Sequence, residues 1–429
     1  MALTLARDEH PHALAALRVV VPALILISPG LREGVRVAAL DRALWVVPEG
    51  LHGFVALAPI SPSLAIVVEV LTVFAALLAI AGLRARIALG VMTVGAFYLC
   101  SLAQLTGFVW HDMHLLWLAA LLAASPCDHA WAVDAKVASP PSRAYGVPLQ
   151  IARAILGCVY VFPGLHKVWA QGLGWAVSDN LRNQLYWKWA EYGDIPAIRL
   201  DQHPTLLAIG GLGVLLFELS APVLFLVPRT RLVGAIAGVA FHLSAQAVFR
   251  IPFFALWACY VVLVDVRAIG ERLGLVREET LARASRGWPT LAVGGLILLG
   301  VVVQGVRGQT QSYPFACYPT FEHYAGTSIP DLRILVVRDD GTSYELVHAR
   351  DAEGKRTQRQ WGTVFALAGV TAPVDGDRLR AYYTIFAHHG EPLPREVRFL
   401  RVYRSVLPDE KNDSPRSEEE IFRFQPATP

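Results

Sequence analysis

The chain has 429 residues, of which 54% are hydrophobic and 17% are charged, with a mean hydropathy of +0.43 and a formal net charge of +3. Soluble proteins carry about 25% charged residues and could not bury this much apolar surface in one or two cores. The composition excludes a disordered chain, a coiled coil and a small disulfide scaffold; it favours a polytopic membrane protein without a nucleic-acid partner, because the basic residues lie scattered between apolar runs.

Apolar runs of spanning length predict an all-α membrane domain of about nine helices, since a spanning helix needs roughly 20 apolar residues. The fourth run is short. The first carries Arg18 and precedes no A-x-A cleavage site, so we expect a retained helix rather than a signal peptide. The predicted spans lie near residues 13–29, 63–82, 86–107, 112–126, 148–166, 204–228, 232–249, 251–266 and 288–306.

Basic residues in the short loops predict the orientation. Lys and Arg accumulate in the loops between spans 2 and 3, 4 and 5, 6 and 7, and 8 and 9, which all fall on one side of the membrane. That side is expected to be cytoplasmic. The N-terminus then lies inside and the chain after residue 306 lies outside. The basic residues are Arg84, Arg86, Lys136, Arg143, Arg229, Arg231, Arg267, Arg272, Arg277, Arg283 and Arg286.

The connection between spans 5 and 6 contains a predicted amphipathic helix over residues 176–192. Its apolar side chains recur at helical spacing, opposite a set of polar ones, and several tryptophans lie nearby. This pattern is typical of a helix that lies at the membrane surface. The apolar residues are Leu181, Leu185, Tyr186 and Trp189, and the polar ones are Asp179, Asn180, Arg182 and Lys188.

A change of composition after Gly308 divides the chain into a membrane domain, residues 1–307, and a small β-rich extracytoplasmic domain, residues 308–429. The Asp339-Asp340-Gly341 turn predicts a hairpin. Residues 359–367 favour a short helix, and the charged residues 411–420 are expected to be frayed. Short apolar or alternating runs of strand type cover residues 333–338, 344–349, 382–386 and 397–404.

Glu218 and His242 are ionisable residues inside neighbouring predicted spans, where charge is costly. Glu218 is in the sixth span and His242 in the seventh, each about ten residues, or roughly 15 Å, from the loop that joins them. We therefore expect them to share a depth and to form a pair. The pair either handles protons or positions a cofactor, or it is a hydrogen bond that only holds two helices together.

A second polar cluster is expected at the outer surface. His111 and His114 end the third span and Lys167 ends the fifth, so His111 and Lys167 are predicted neighbours. A lysine in a poorly hydrated pocket is held more readily as the neutral amine, which can act as a base; the alternative is a lysine that snorkels among interfacial tryptophans. His111, Asp112 and His114 lack an identifiable third metal ligand, so no metal is expected.

Several stretches resemble the membrane domain of vitamin K-dependent gamma-carboxylases, which recurs in many bacterial proteins as the horizontally transferred transmembrane (HTTM) domain. These are the Arg-bearing first helix, WHDMHLLWL at 110–118, AWAVD at 130–134, VYVFPGLHK at 159–167 and FHLSAQAVFRIPFF at 241–254. The resemblance covers roughly residues 10–270. It places the family's active face on the outer side.

The resemblance also implies roles for individual residues. The lysine proposed in the family to deprotonate vitamin K hydroquinone falls on Lys167. The functional histidine of the family's H-N-H-S-Y-L stretch falls on His111, and the histidine of its F-H-x-x-N helix falls on His242. The implied cofactor is reduced vitamin K or a menaquinol-type hydroquinone, and Glu218 and His114 are expected to help to form its pocket.

Two classes of function follow. In the first, the chain is an enzyme that oxidises a membrane hydroquinone at the outer face of a bacterial plasma membrane and drives carboxylation of a peptide or a related reaction. In the second, it is a non-enzymatic membrane accessory protein, similar to the sporulation-delaying-protein B family, whose β-rich domain binds a partner. The second stays open because Val168 follows the lysine where the carboxylases have aspartate, and Ala245 stands where they have asparagine.

Overall fold

Helices form most of the structure, a computed structural model that describes residues 7–107, 112–135, 140–193, 195–251, 253–275, 288–310, 312–316, 324–349, 356, 358–387, 393–410 and 415–426. Short 3-10 helices lie at Arg42–Leu44, Leu200–Gln202 and Ala258–Leu263. The α-helices are α1 (His12–Ile27), α2 (Pro29–Ala38), α3 (His52–Leu57), α4 (Pro62–Ala81), α5 (Ala85–Gln104), α6 (Met113–Ala123), α7 (Arg143–Gln171), α8 (Gly174–Val177), α9 (Asn180–Tyr192), α10 (Pro204–Leu226), α11 (Arg231–Phe249), α12 (Phe254–Trp257), α13 (Val266–Arg272), α14 (Trp288–Arg307), α15 (Gln358–Leu367) and α16 (Gly376–Phe386).

Six helices in the described part of the chain are long and apolar enough to cross a membrane, namely α4, α5, α7, α10, α11 and α14. A seventh span exists if α1 and α2, which meet at a 41° bend, count as one. The prediction of nine spans is therefore confirmed only in part. The fourth predicted span is the 11-residue α6, about 16 Å long and too short for a hydrocarbon core of about 30 Å. The eighth is broken into α12 and a 3-10 helix.

Hydrogen bonds bring the N-terminal segment and the predicted basic loops together at one end of the helices. Glu9 forms ion pairs with Arg153 and Arg231, at 2.5 and 3.0 Å. Trp131 donates its indole N–H to the carbonyl of Leu275, while Arg18 donates to the carbonyl of Trp131. We call this the basic end. In the described part of the loops the predicted grouping on one side is present, and which side faces the cytoplasm stays a prediction. Lys136, Arg277, Arg283 and Arg286 lie outside the described residues.

The C-terminal region contains a four-stranded antiparallel sheet with the order β2-β1-β3-β4. The predicted hairpin is confirmed, because Val337 pairs with Ser343 across the turn. Helices α15 and α16 supply Val364, Leu367 and Leu379 to the core that covers one face of the sheet. The strands are β1 (Ser328–Val337), β2 (Ser343–Glu345), β3 (Glu396–Ser405) and β4 (Ser417–Phe424).

Two segments of this region differ from the prediction. Residues 382–386 belong to α16 rather than to a strand, because the Asp375 carboxylate caps the helix and Leu379, Tyr382 and Phe386 recur at helical spacing. Within the charged segment 411–420, residues 417–420 begin β4 instead of fraying, and residues 411–414 lie outside the described part. Arg401 on the neighbouring β3 and Arg333 on β1 pair with two of the glutamates in β4.

The predicted amphipathic helix is present as α9, but its polar side is not left to water. Asn183 donates a hydrogen bond to the carbonyl of Ala325, whose own N–H donates to Asn180. Trp189 on the apolar side packs in a cluster with Trp361 from α15. The helix is therefore enclosed between the membrane helices and the C-terminal sheet. Because α7 starts at the basic end and runs for 29 residues, about 44 Å, toward α9, we call this opposite end the sheet end.

Candidate functional site

A cavity of about 520 Å³ lies between α7, α10 and α11, with α8 and α9 at the sheet end. Most of its wall is apolar. Part of the cavity wall on α10 and α11 is made of small residues that are themselves exposed, Gly210, Gly213, Ala240 and Ser244. Its polar and ionisable lining residues include Asp112, His114, Tyr160, Lys167, Glu218 and His242.

Lys167 and Glu218 form a buried ion pair in this cavity. The Lys167 Nζ atom lies 2.5 Å from Glu218 Oε1, and the two side chains are only 4% and 5% exposed. Lys167 Nζ also lies 4.9 Å from the centre of the Trp175 ring, in cation–π geometry. Gly164, one turn before the lysine, lets α10 approach, because a Cβ at this position would lie 2.9 Å from the Cβ of Glu218. Glu218 Oε2 is buried and has no hydrogen-bond partner among the described residues.

His242 belongs to a second polar group in the same cavity. Its Nε2 atom lies 2.5 Å from the Tyr160 hydroxyl, which also hydrogen-bonds the Tyr260 hydroxyl. Gly238 makes room for the Tyr260 ring, since a Cβ at this position would collide with it. His242 is 2% exposed, and its Nδ1 atom has no hydrogen-bond partner in the described part of the chain. Among the described residues, the lining of the cavity thus contains two unpaired buried polar atoms, Glu218 Oε2 and His242 Nδ1.

Of the two histidines in the predicted outer cluster, the structure describes only His114. His114 is buried, lines the cavity, and lies with its Nε2 atom 3.1 Å from the carbonyl oxygen of Ala255. His111 lies outside the described residues, so its predicted proximity to Lys167 stays a prediction. Asp112 lines the cavity beside His114.

The predicted pair of Glu218 and His242 is not formed, although both line the cavity. Helix α7 supplies a partner to each of them, Lys167 to Glu218 and Tyr160 to His242. Their similar depth was sufficient for a shared cavity but not for contact, because each of them hydrogen-bonds through one atom to an α7 side chain instead. Sequence reasoning did not single out Tyr160 as a site residue, yet it lies seven residues before Lys167 and therefore on the same helix face.

The geometry suits a lipid-soluble ligand with a hydroxyl group. An apolar cavity binds the ligand's hydrocarbon part, and the two unpaired polar atoms offer directional contacts to its polar part. The Lys167–Glu218 pair can receive or release a proton there, since the two groups share a hydrogen bond away from water.

Comparison with known proteins identifies a family for this chain but no individual relative. No curated protein and no solved structure matches the chain. A family model, the HTTM domain, matches residues 6–267, which is more than half of the chain and includes every residue of the cavity described above. With six helices able to cross a membrane in its described part, this chain is an integral membrane protein that belongs to the HTTM domain family.

Proposed function

We propose that the protein binds a membrane-soluble hydroquinone, of the reduced vitamin K or menaquinol type, in this cavity and accepts a proton from its hydroxyl at Lys167. The observation that carries the proposal is the buried Lys167–Glu218 pair, which lies in an apolar cavity with one carboxylate oxygen unpaired. Membership of the HTTM family supports it, because this domain is found in vitamin K-dependent carboxylase-like membrane proteins.

The residues present fit such a ligand. A volume of about 520 Å³ is within the usual range of small-molecule sites, roughly 300–1,000 Å³. The apolar lining matches a ring and hydrocarbon tail, and Glu218 Oε2 and His242 Nδ1 match hydroxyl groups. The wall of small residues between α10 and α11 gives a ligand dissolved in the bilayer a short way in.

Each side chain has a separate task in this proposal. When the proton shared across 2.5 Å lies on Glu218, Lys167 is a neutral amine and takes the ligand's proton, while Glu218 holds the lysine in position. In apolar surroundings, moving the shared proton from the lysine to the glutamate converts the charged pair into a neutral pair at a small cost in free energy. His242 positions the ligand through Nδ1, because Tyr160 fixes the ring by binding Nε2. His114 helps to form the cavity wall.

We further propose that His111 stabilises an oxyanion or positions the oxidised ring. When bound, a hydroquinone supplies electrons to O2, and the oxygen chemistry that follows supplies a strong base. We propose that this base drives carboxylation of a carboxylate-bearing peptide, held at the extracytoplasmic domain, or a related oxidation.

The test uses purified protein in nanodiscs supplied with reduced vitamin K or menaquinol, O2 and bicarbonate, with quinone epoxide as the product measured. Lys167→Ala and His111→Ala are expected to lose epoxide formation. Lys188→Ala is the matched control, because Lys188 is also a buried lysine paired with a glutamate, Glu191, but does not line the cavity. It should retain activity.

The possible results separate the two classes of function. Epoxide that disappears in the Lys167 and His111 variants but not in the control supports the enzyme and directs the search to the carboxyl acceptor. Folded protein that forms no epoxide with any quinol contradicts the enzyme. It would favour the non-enzymatic accessory protein, for which the partner of the C-terminal sheet becomes the next question.

A further inference from the structure

Asp112 separates two cavities. It lines the 520 Å³ cavity that contains Lys167 and Glu218, and it also lines a second, small cavity of about 20 Å³. The Ser28 hydroxyl, on the side of the small cavity, is a hydrogen-bond partner of the Asp112 carboxylate. One ionisable residue therefore lines both spaces.

The small cavity has the size and lining of a water site. A buried water needs roughly 10–15 Å³ of such space and two to four polar partners. The small cavity offers about 20 Å³, with Ser28, Gln104, Asp112 and Tyr313 among its lining residues. This space has room for a single water molecule next to Asp112.

The position of the small cavity gives the route a direction. Ser28 follows the last residue of α1, and Gln104 is the last residue of α5. Both helices end toward the sheet end, and Tyr313 lies beyond the end of α14 on the same side. The small cavity thus lies toward the sheet end of the molecule, on the side of α1 and α5.

We propose that Asp112 is a proton relay, which passes protons from the main cavity to a water molecule in the small cavity and on to the sheet end. The inference rests on the proposed function for the source of the proton. The O–H bond of the bound ligand breaks, the proton moves by way of the Lys167–Glu218 pair, and an O–H bond forms on Asp112. That bond then breaks as the water takes the proton, so the step needs no oxidant or reductant.

Other titratable groups near Asp112 belong to several elements, and each of them affects the pH at which Asp112 exchanges its proton. His114 on α6 lies two residues away and interacts with it electrostatically. Across the main cavity are Lys167 on α7, Glu218 on α10 and His242 on α11, while Cys259 and Cys100 face it from the 3-10 helix and α5.

The first arm of the test needs no quinol. Infrared spectra of the reconstituted protein are recorded in light and heavy water over a range of pH. The carboxyl band of Asp112 is the one that is lost in Asp112→Asn and kept in Asp201→Asn. Asp201 is the control because it is another buried carboxylate, outside both cavities. Hydrogen–deuterium exchange of this band should be at least tenfold slower in Gln104→Leu, which keeps the side-chain volume and removes the polar group. Ser28→Val should give the same slowing. Unchanged exchange in both variants overturns the relay.

The second arm adds quinol to the same samples. A change in the Asp112 band on binding, absent in Asp112→Asn, supports the relay. Quinol binding that leaves the band unchanged overturns it. If no sample binds quinol while the exchange in the first arm is slowed as expected, the proposed function fails and the relay between the cavities stands.

Discussion

At the scale of single residues, the polar side chains of the cavity interact in groups, so removing one member of a group should destabilise the folded protein. Lys167→Met leaves the Glu218 carboxylate buried without its partner, which is expected to cost about 3–5 kcal/mol. The double variant Lys167→Met/Glu218→Gln removes both charges and should recover most of that loss. Unfolding in detergent, followed by tryptophan fluorescence, measures the difference. A double variant as unstable as the single one would contradict the pairing.

Asp201 is a residue whose ionisation should matter for stability at low pH. Hydrogen bonds from Arg199, at 2.7 and 2.8 Å, hold the pKa of the Asp201 carboxyl below its usual range, and Tyr186 on α9 donates to the same group. A depressed pKa in the folded state gives stability that is complete above the unfolded pKa, about 3.9, and is lost as the pH falls through the folded value.

The unfolding temperature should therefore fall more steeply below about pH 4 in the wild type than in Asp201→Asn. Asp179→Asn is the control, because the Asp179 side chain is 60% exposed and its pair with Arg182 contributes little. Equal acid sensitivity in the wild type and Asp201→Asn would show that this group does not anchor the start of α10.

The sequence predicted which ionisable residues lie in the membrane domain, but not how they pair. Counting residues along two antiparallel helices gives the height of Glu218 and His242 in the membrane. It does not give the rotation of each helix about its axis or the identity of a third helix between them. The partners Lys167 and Tyr160 both come from α7, and Tyr260 comes from a 3-10 helix that the hydropathy of residues 251–266 predicts as a span.

At the scale of elements, the contact between α7 and α10 depends on glycine. A Cβ at Gly164 would lie 2.9 Å from the Cβ of Glu218, closer than side chains pack, so Gly164→Ala must displace α10 or its ion pair. We expect a loss of about 1–3 kcal/mol in the free energy of unfolding, with weaker quinol binding.

Gly90→Ala in α5 is the matched control, since nothing lies within 4 Å of a Cβ at that position. Alanine has the higher helix propensity, so this variant should be neutral or slightly more stable. Equal behaviour of the two variants would show that the close approach of α7 and α10 is not needed.

Elements of the C-terminal region were predictable where local signals agreed. The hairpin turn and the alternation of 397–404 gave β1, β2 and β3. Residues 382–386 were ambiguous because a short apolar run fits a strand as well as one helix face, and the cap that decides the matter lies at Asp375. β4 was not predicted because its sequence is highly charged. Its glutamates are compensated by arginines on other strands, a contact that only the tertiary structure supplies.

At the scale of the whole molecule, the sheet domain is joined to the membrane domain through α9. Trp361 is 8% exposed in a cluster with Leu185, Trp189 and Ile329, and its indole N–H donates to the carbonyl of Glu191. Trp361→Ala should cost about 3–5 kcal/mol. Limited proteolysis should then release the sheet domain faster, whereas Ile385→Ala, at an exposed position on α16, should not change the rate. Equal rates would show that this cluster does not hold the domains together.

The orientation of the whole molecule decides which side of the membrane the sheet domain faces. This orientation can be measured directly. The basic end carries the short loops rich in arginine, which favour the cytoplasmic side, and the sheet domain should then lie outside. In a cysteine-free background, Ser343→Cys on β2 should react with a membrane-impermeant maleimide in intact cells. Arg84→Cys at the basic end should react only after the cells are opened. The reverse pattern would place α9 and the sheet domain on the cytoplasmic side, and protons leaving through Asp112 would then be released inside the cell.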